Sequence, residues 1–164
     1  MESEELSNII LDKLSLRLEN HKGLKIFAVE RAKFEGWIKV ELCDILLAYF
    51  KEVIPEKNRV DISFSDWGIE LKTLNTNIRY EGVNNKSRPI TNNTNGVVID
   101  INKLKKLDCY KNKAVLFIVF PITHADRYWN IQLERIKPLL SQLKHKEFKF
   151  NNSNISGVIY FGLI

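Results

Sequence analysis

The sequence is poor in the residues that build disulfide frameworks, zinc sites and nucleotide-binding loops. Its 164 residues include only two cysteines, Cys43 and Cys109, and neither has a second Cys or a His at metal-ligand spacing. Only seven glycines occur, and none are spaced as in a phosphate-binding or dinucleotide-binding loop. We therefore expect two reduced thiols, no structural zinc and no nucleotide-cofactor chemistry.

Long hydrophobic runs and a basic, apolar leader are also missing. The apolar run at 114–120 is far shorter than the roughly 18 residues of a membrane span. The chain opens with Met-Glu-Ser-Glu-Glu, which is acidic where a secretory signal would be basic. We expect one domain over 1–164, because this length is near the commonest domain size, in a cytoplasmic protein with no membrane partner.

The positive charge of the chain is concentrated towards its end. The formal net charge is +5, yet residues 1–60 carry 10 Lys and Arg against 11 Asp and Glu, while residues 111–164 carry 8 against 3. Such an asymmetry is typical of a surface that contacts phosphates, although many proteins without such a partner are equally basic.

The pattern of apolar residues predicts helices and strands in alternation. We predict an amphipathic helix over 4–21, a long buried helix over 33–53, a hairpin over 60–73, a polar insertion loop over 75–95, a short helix over 100–107, a central strand over 114–120, a helix over 126–143 and a last strand over 157–163. This order predicts the α/β (α+β) class with a mixed sheet flanked by helices.

The strongest candidates for catalytic residues lie in the predicted hairpin. With a four-residue turn at 65–68, Asp61, Glu70 and Lys72 would share one face of the sheet, and Asp61 would face Lys72. Two adjacent carboxylates can share Mg²⁺, and a neighbouring lysine can orient or deprotonate a bound water. This set suffices for phosphodiester hydrolysis, whereas the alternative interpretation is an ordinary solvated face of a hairpin.

The segment RVDISFSDWGIELKT at 59–73, preceded by EGWIKVEL at 35–42, resembles the PD-(D/E)xK nuclease superfamily, which has the restriction-endonuclease-like fold. The element order resembles that family over 33–163, although Val60 stands where the family motif has proline. The resemblance implies that a metal ion is held by the carboxylates of Asp61, Glu70 and Glu41 and by the backbone carbonyl of Leu71. It also implies that Lys72 is the catalytic lysine.

The helix acid is ambiguous between Glu41 and Glu35. Glu41 shares an apolar stripe with Trp37, Ile45 and Ala48, so its carboxylate needs a buried partner. That partner is either a cation held by the hairpin acids or an ordinary salt bridge to Lys or Arg. Glu35 lies nearer the start of the helix, where an exposed acid is favoured by the helix dipole.

Basic residues in two segments are candidates for nucleic-acid contacts. Arg79, Lys86 and Arg88 lie in the polar loop that directly follows Lys72. Arg127 and Arg135 lie two helical turns apart around Tyr128 and Trp129, which suits phosphate contacts and base stacking. A core tryptophan with solvated arginines explains the second segment equally well, and we expect His124 to be a surface residue.

Together these features predict a nuclease that uses Mg²⁺, with Mn²⁺ as a substitute, and acts on DNA rather than RNA as an endonuclease. The alternative is a non-catalytic module of the same fold that binds nucleic acid or another protein. A monomer and a homodimer both stay open.

If the polar loop clamps duplex DNA, each of its three cations displaces a condensed counterion. Replacing Arg79, Lys86 and Arg88 together by Ala should then lower the slope of log K against log salt by about 2–3. The measurement is DNA affinity at several salt concentrations in Ca²⁺, and an unchanged slope would show that the loop does not contact phosphate.

Overall fold

The computed structural model describes residues 1–84 and 90–164. The helices and strands in this part of the chain are α1 (Ser3–Asn20), α2 (Lys22–Val29), α3 (Glu35–Leu47), β1 (Ile54–Pro55), β2 (Ile62–Phe64), β3 (Trp67–Asn75), α4 (Ile90–Lys105), β4 (Asn112–Phe120), α5 (Arg127–Leu133), β5 (Gln142–Lys149) and β6 (Ser156–Leu163). Short 3₁₀ helices in the same ranges lie at Lys137–Leu139 and Phe150–Asn152. None of the helices described is both long enough and apolar enough to cross a membrane.

The strands form one mixed sheet in the order β1-β2-β3-β4-β6-β5. β3 and β4 are parallel, and every other neighbouring pair is antiparallel. A parallel pair needs a crossover connection, which α4 provides. The structure therefore confirms the mixed α/β class.

Helices cover both faces of the sheet, because the central strands are apolar on both sides. On one face, Leu116 and Ile118 of β4 pack with apolar residues of α1 and α3. On the other face, Phe117 of β4 packs with Val97 of α4 and Trp129 of α5. β3 follows the same alternation, so Glu70 and Lys72 lie on the α4 side.

Several sequence predictions are confirmed. The first helix buries the i, i+4 series Leu6, Ile10, Leu14 and Leu18 completely. The central strand and the last strand are present within two residues of their predicted bounds. These elements could be predicted because their apolar residues recur at the spacing of a helix or strand that is buried on one face or on both.

Two predicted bounds in the first half are wrong. The helix predicted over 33–53 is α3, which ends at Leu47, and Val40 and Leu47 on its outer surface are exposed. The loop predicted over 75–95 is shorter, because Asn75 ends β3 and α4 begins at Ile90. The helix predicted over 100–107 is the second half of α4, whose buried stripe already includes Thr94 and Val97.

The end of the helix predicted over 126–143 is also wrong, whereas its start is confirmed. Asp126 caps α5 by accepting hydrogen bonds from the N–H groups of Tyr128 and Trp129, but α5 ends at Leu133. Pro138 lies in a 3₁₀ helix, and the edge strand β5 follows. β5 escapes detection because it is polar: Lys144 and Lys146 form ion pairs with Glu4 and Asp12 of α1.

Two glycines should respond in opposite ways to a methyl group. A Cβ at Gly157 would lie 2.6 Å from the buried ring of Phe148 and 3.2 Å from a carbonyl of β4, whereas a Cβ at Gly36 on α3 would meet nothing. Gly157→Ala should therefore destabilise the protein by about 1–3 kcal/mol. Gly36→Ala should leave stability equal or raise it by up to about 1 kcal/mol. Urea unfolding checks both variants, and equal effects would contradict this packing.

Candidate active site at the open edge of the sheet

The hairpin is tighter than predicted, and this changes which residues face each other. Phe64 pairs with Trp67 rather than Ile69, because the turn has two residues, Ser65 and Asp66, and Ser65 has a positive φ of 48°. The last pair of the ladder is Ile62 and Ile69, so the next position along the two strands sets Asp61 opposite Glu70 rather than Lys72. The carboxyl groups of Asp61 and Glu70 both line one small cavity, and each influences the pKa of the other.

Among residues 1–84 and 90–164, no strand lies beside the second half of β3 on the β2 side, because the β2 ladder ends at the pair Ile62 and Ile69. Carboxylates replace the missing strand there. Asp61 Oδ2 accepts a hydrogen bond from the N–H of Leu71 at 2.8 Å, and Glu35 Oε1 accepts one from the N–H of Thr73 at 2.9 Å. Since the N–H and C=O of one strand residue point to the same side, the Leu71 carbonyl also lies on this open edge.

Lysines from α3, α4 and β3 form ion pairs with acids at and beside this edge. Lys39 of α3 lies 2.9 Å from Asp61 Oδ1, and Lys103 of α4 lies 2.7 Å from Glu70 Oε1. Lys72 forms a third pair, at 2.7 Å, with Asp100 of α4. α4 passes close to β3 here because Gly96 has no side chain: a Cβ would lie 3.2 Å from Lys72 Cε.

The two hairpin acids have opposite pKa shifts. Burial would raise the pKa of Asp61, but the hydrogen bond from the Leu71 N–H and the Lys39 ammonium outweigh burial and lower it. Burial and the adjacent Asp61 raise the pKa of Glu70 to about 7, although Lys103 acts in the opposite direction. Such a divided pair is typical of two carboxyls that share one proton or one cation.

The position of Glu41 requires a correction. Its carboxylate forms an ion pair with Arg17 of α1, which is the salt-bridge alternative left open by the sequence. Glu41 is two residues from Lys39, and residues two apart lie on nearly opposite sides of a helix. Because Lys39 reaches Asp61, Glu41 faces away from it, and Glu35 is the acid that α3 brings to the open edge.

The donor set at this edge fits a hard divalent cation with several retained waters. It consists of two neighbouring carboxyls and one backbone carbonyl, and these oxygen ligands are those that Mg²⁺ prefers. A cavity of about 250 Å³ lies at the acid pair and has Arg59 and Lys103 in its walls. Within the described ranges, no group of three or more His, Cys, Asp or Glu side chains is arranged to hold a metal ion. Glu35 is thus an outer neighbour of the pair.

The predicted nucleic-acid contacts have mixed outcomes. Arg79 and Arg127 are exposed, whereas Lys86 and Arg88 lie outside the described residues. Arg135 follows the end of α5 and donates a hydrogen bond to Asn95 of α4 at 2.6 Å. The proposed contacts of all five with nucleic acid stay predictions.

Trp129 and His124 have structural contacts that the sequence did not reveal. Trp129 is fully buried and donates a hydrogen bond from Nε1 to the Tyr160 hydroxyl, so base stacking by this ring is excluded. His124, predicted to be a surface residue, is half-buried. Its ring stacks on the ring of His145, with the two ring centroids 3.5 Å apart. Its Nδ1 lies 2.8 Å from the same Tyr160 hydroxyl.

The sequence reasoning missed Lys39, Asp100 and Lys103. One signal was available for the two α4 residues: Gly96, Asp100 and Lys103 have the i, i+4, i+7 spacing of one helix face. The three residues form one helix face only if the helix already includes Gly96. The Asn-rich composition of the first turns of α4 is typical of a loop, so the helix start at Ile90 was not predicted.

Comparisons with protein-family models, with curated proteins and with solved structures find no match to this chain. The chemistry open to the site therefore follows from its own residues. Two neighbouring carboxyls, an ammonium group on the same sheet face and an open backbone edge form a polar cleft beside a rigid strand.

The raised pKa of Glu70 should make stability depend on pH. The folded state binds a proton more tightly than the unfolded chain, so this stabilisation is present below about pH 4.5 and is lost as pH rises through about 7. Glu70→Gln lacks this loss. In EDTA, the free energy of unfolding of the variant relative to wild type should increase by roughly 2–3 kcal/mol from pH 5 to pH 8. Urea titrations at several pH values measure it, and parallel pH profiles would contradict the shift.

Proposed function

We propose that this protein is a Mg²⁺-dependent nuclease of the PD-(D/E)xK superfamily that hydrolyses phosphodiester bonds of DNA in the cytoplasm, as an endonuclease. The observation that carries the proposal is the position of Asp61 opposite Glu70, where both line one cavity, with Lys72 on the same face of β3 as Glu70. Glu70 is buried and Asp61 is half-buried, so the two neighbouring carboxyls repel each other once both are ionised, and a shared cation removes that repulsion.

Each residue of the edge has a distinct proposed role. Asp61, Glu70 and the carbonyl of Leu71 would hold the metal, and Mn²⁺ would substitute for Mg²⁺. When bound, the ion would supply charge stabilisation at the scissile phosphate and an activated water. Glu35 keeps the Thr73 N–H satisfied, so that β3 is held straight beside the ligands without a partner strand.

Lys72 has the properties of a donor rather than of a base. Burial would lower its pKa, but Asp100 outweighs burial and raises it, so the side chain carries an ammonium group at neutral pH. An ammonium group can orient a water by donating a hydrogen bond to the water oxygen, and it can neutralise charge that develops on phosphate oxygens. The proposed role of Lys72 is therefore electrostatic.

The order of elements also supports the superfamily. α3 supplies an acid, β2 and β3 form the acidic hairpin, α4 crosses over, and β4 extends the sheet. The resemblance implied this arrangement. Residue by residue, the helix acid is Glu35 in the proposal, because Glu41 is paired with Arg17.

One observation favours a second candidate, a non-catalytic binding module of this fold. Lys39 and Lys103 already pair with both hairpin acids, and such a network can serve as a structural ion-pair cluster without metal. In that case the basic surface would bind nucleic acid or an acidic protein without cleaving it.

Cleavage assays distinguish the two candidates. Plasmid, linear duplex and single-stranded DNA, with RNA in parallel, are incubated with the protein in Mg²⁺ or in EDTA. We expect Mg²⁺-dependent cleavage, and Glu70→Gln and Lys72→Met should each lower its rate by at least about 10²-fold, because each removes a charge that stabilises the transition state.

A matched pair of variants tests the choice of helix acid. Glu35→Gln should reduce cleavage, because it weakens the acceptor for the Thr73 N–H beside the ligands, whereas Glu41→Gln should retain it. Full activity of both Glu70→Gln and Lys72→Met in an active preparation would refute the site, and wild-type binding without cleavage in any metal would favour the binding module.

A further inference from the structure

The carboxyls proposed to hold metal are already paired with lysines from the two helices that flank the open edge. Lys39 of α3 is 2.9 Å from Asp61, and Lys103 of α4 is 2.7 Å from Glu70. A metal ion and an ammonium group on the same carboxylate oxygen repel each other, so a divalent cation can bind tightly only if an ammonium group moves away.

The lysines differ in how readily they can leave. Lys39 also pairs with Glu56 at 2.5 Å, and its side chain is 19% exposed, so it stays anchored when it loses Asp61. Lys72 is held by Asp100 of α4 at 2.7 Å. Lys103 is 45% exposed, and Glu70 is the one carboxylate within ion-pair distance of it among residues 1–84 and 90–164.

Lys103 also stands where it can contact an incoming anion. It lines the cavity of about 250 Å³ at the acid pair together with Arg59, so both side chains face the space in which a phosphate would approach the acids. A lysine stem has enough free rotamers to move its ammonium group by several ångströms without any change in the helix.

We propose that Lys103 is an exchangeable cation, which neutralises Glu70 in the metal-free protein and moves to a nucleic-acid phosphate when a divalent cation binds. The inference rests on the proposed function and adds a mode of regulation to it. Metal binding and nucleic-acid binding are then positively coupled, and each ligand raises the affinity for the other by the same factor. The free protein binds metal weakly, which limits metal loading to the complex with substrate.

Calorimetric titration with Ca²⁺ tests the coupling without relying on catalysis. Ca²⁺ is titrated at pH 8 and constant ionic strength, with and without a 20-base-pair duplex. For wild type, the duplex should increase Ca²⁺ affinity by about 5- to 10-fold. Lys103→Gln should bind Ca²⁺ about 5-fold more tightly than wild type without DNA, and the duplex should raise its Ca²⁺ affinity by a smaller factor than in wild type.

Two further variants isolate the effect of this lysine. Lys105→Gln removes the same charge from the last turn of α4, but its side chain lies on another side of the helix, so Ca²⁺ affinity and coupling should match wild type. Lys103→Arg keeps a cation beside Glu70 and should restore the coupling. Circular dichroism of each variant verifies the fold.

The outcomes separate this inference from the proposed function. If Lys103→Gln binds Ca²⁺ no more tightly than wild type, or if the duplex raises its Ca²⁺ affinity as much as that of wild type, the exchange is refuted even when wild type cleaves DNA. Equal gains in Lys103→Gln and Lys105→Gln would assign the effect to net charge and refute it as well. Tighter Ca²⁺ binding by Lys103→Gln with weaker coupling than in wild type supports the exchange, even if no metal supports cleavage and the nuclease proposal fails. Absence of Ca²⁺ binding in all variants, with and without the duplex, refutes the exchange, and the cleavage assay in Mg²⁺ then decides the nuclease proposal separately.

Discussion

The candidate site depends on one constraint: the backbone groups along β3 must be satisfied where β2 no longer pairs with it. An unpaired N–H in a partly buried position costs about as much free energy as a lost hydrogen bond. Asp61 and Glu35 provide the missing acceptors from two different elements. The same requirement that keeps the strand edge stable therefore draws two carboxylates to it, and Glu70 follows because it faces Asp61 across the hairpin.

The second determinant is the position of α4 over the sheet. The parallel pair of β3 and β4 requires a crossover, and α4 must pack Val97 and Ile101 against the sheet to bury its apolar stripe. This packing brings the polar residues next to that stripe over Glu70 and Lys72. Gly96 lets the helix approach, and Asp100 and Lys103 then satisfy two side chains that would be costly to bury alone.

The balance of acidic and basic side chains at this edge matters both for the stability of the fold and for the proposed function. Glu35, Asp61, Glu70 and Asp100 stand close to Lys39, Lys72 and Lys103, so the cluster is nearly neutral without any added ion. Ion pairs of this kind stabilise a fold weakly, because desolvation offsets much of the attraction. In the proposed exchange, a metal and a phosphate would replace these internal partners. In the binding-module alternative, the same network would remain as it is.

Sequence alone determined the elements that have a clear period. The helix at the N-terminus, the apolar central strand and the final strand follow from residues such as Leu14, Phe117 and Ile159, whose spacing matches one buried face or two. The hairpin and its acids could be predicted as well, because alternation needs no distant partner. By contrast, the polar strand β5 could not be predicted, since its lysines are balanced by α1, which is far away in the chain.

Only the tertiary structure decided which acids meet. The turn length set Asp61 against Glu70, a difference of two residues in register that composition does not encode strongly. The choice between Glu35 and Glu41 depended on where α1 lies, because Arg17 pairs with Glu41 only when α1 packs beside α3. Lys39, Asp100 and Lys103 reach the site from separate helices. Local sequence determines local periodicity, but ion pairs between distant segments form only after packing has fixed their distances.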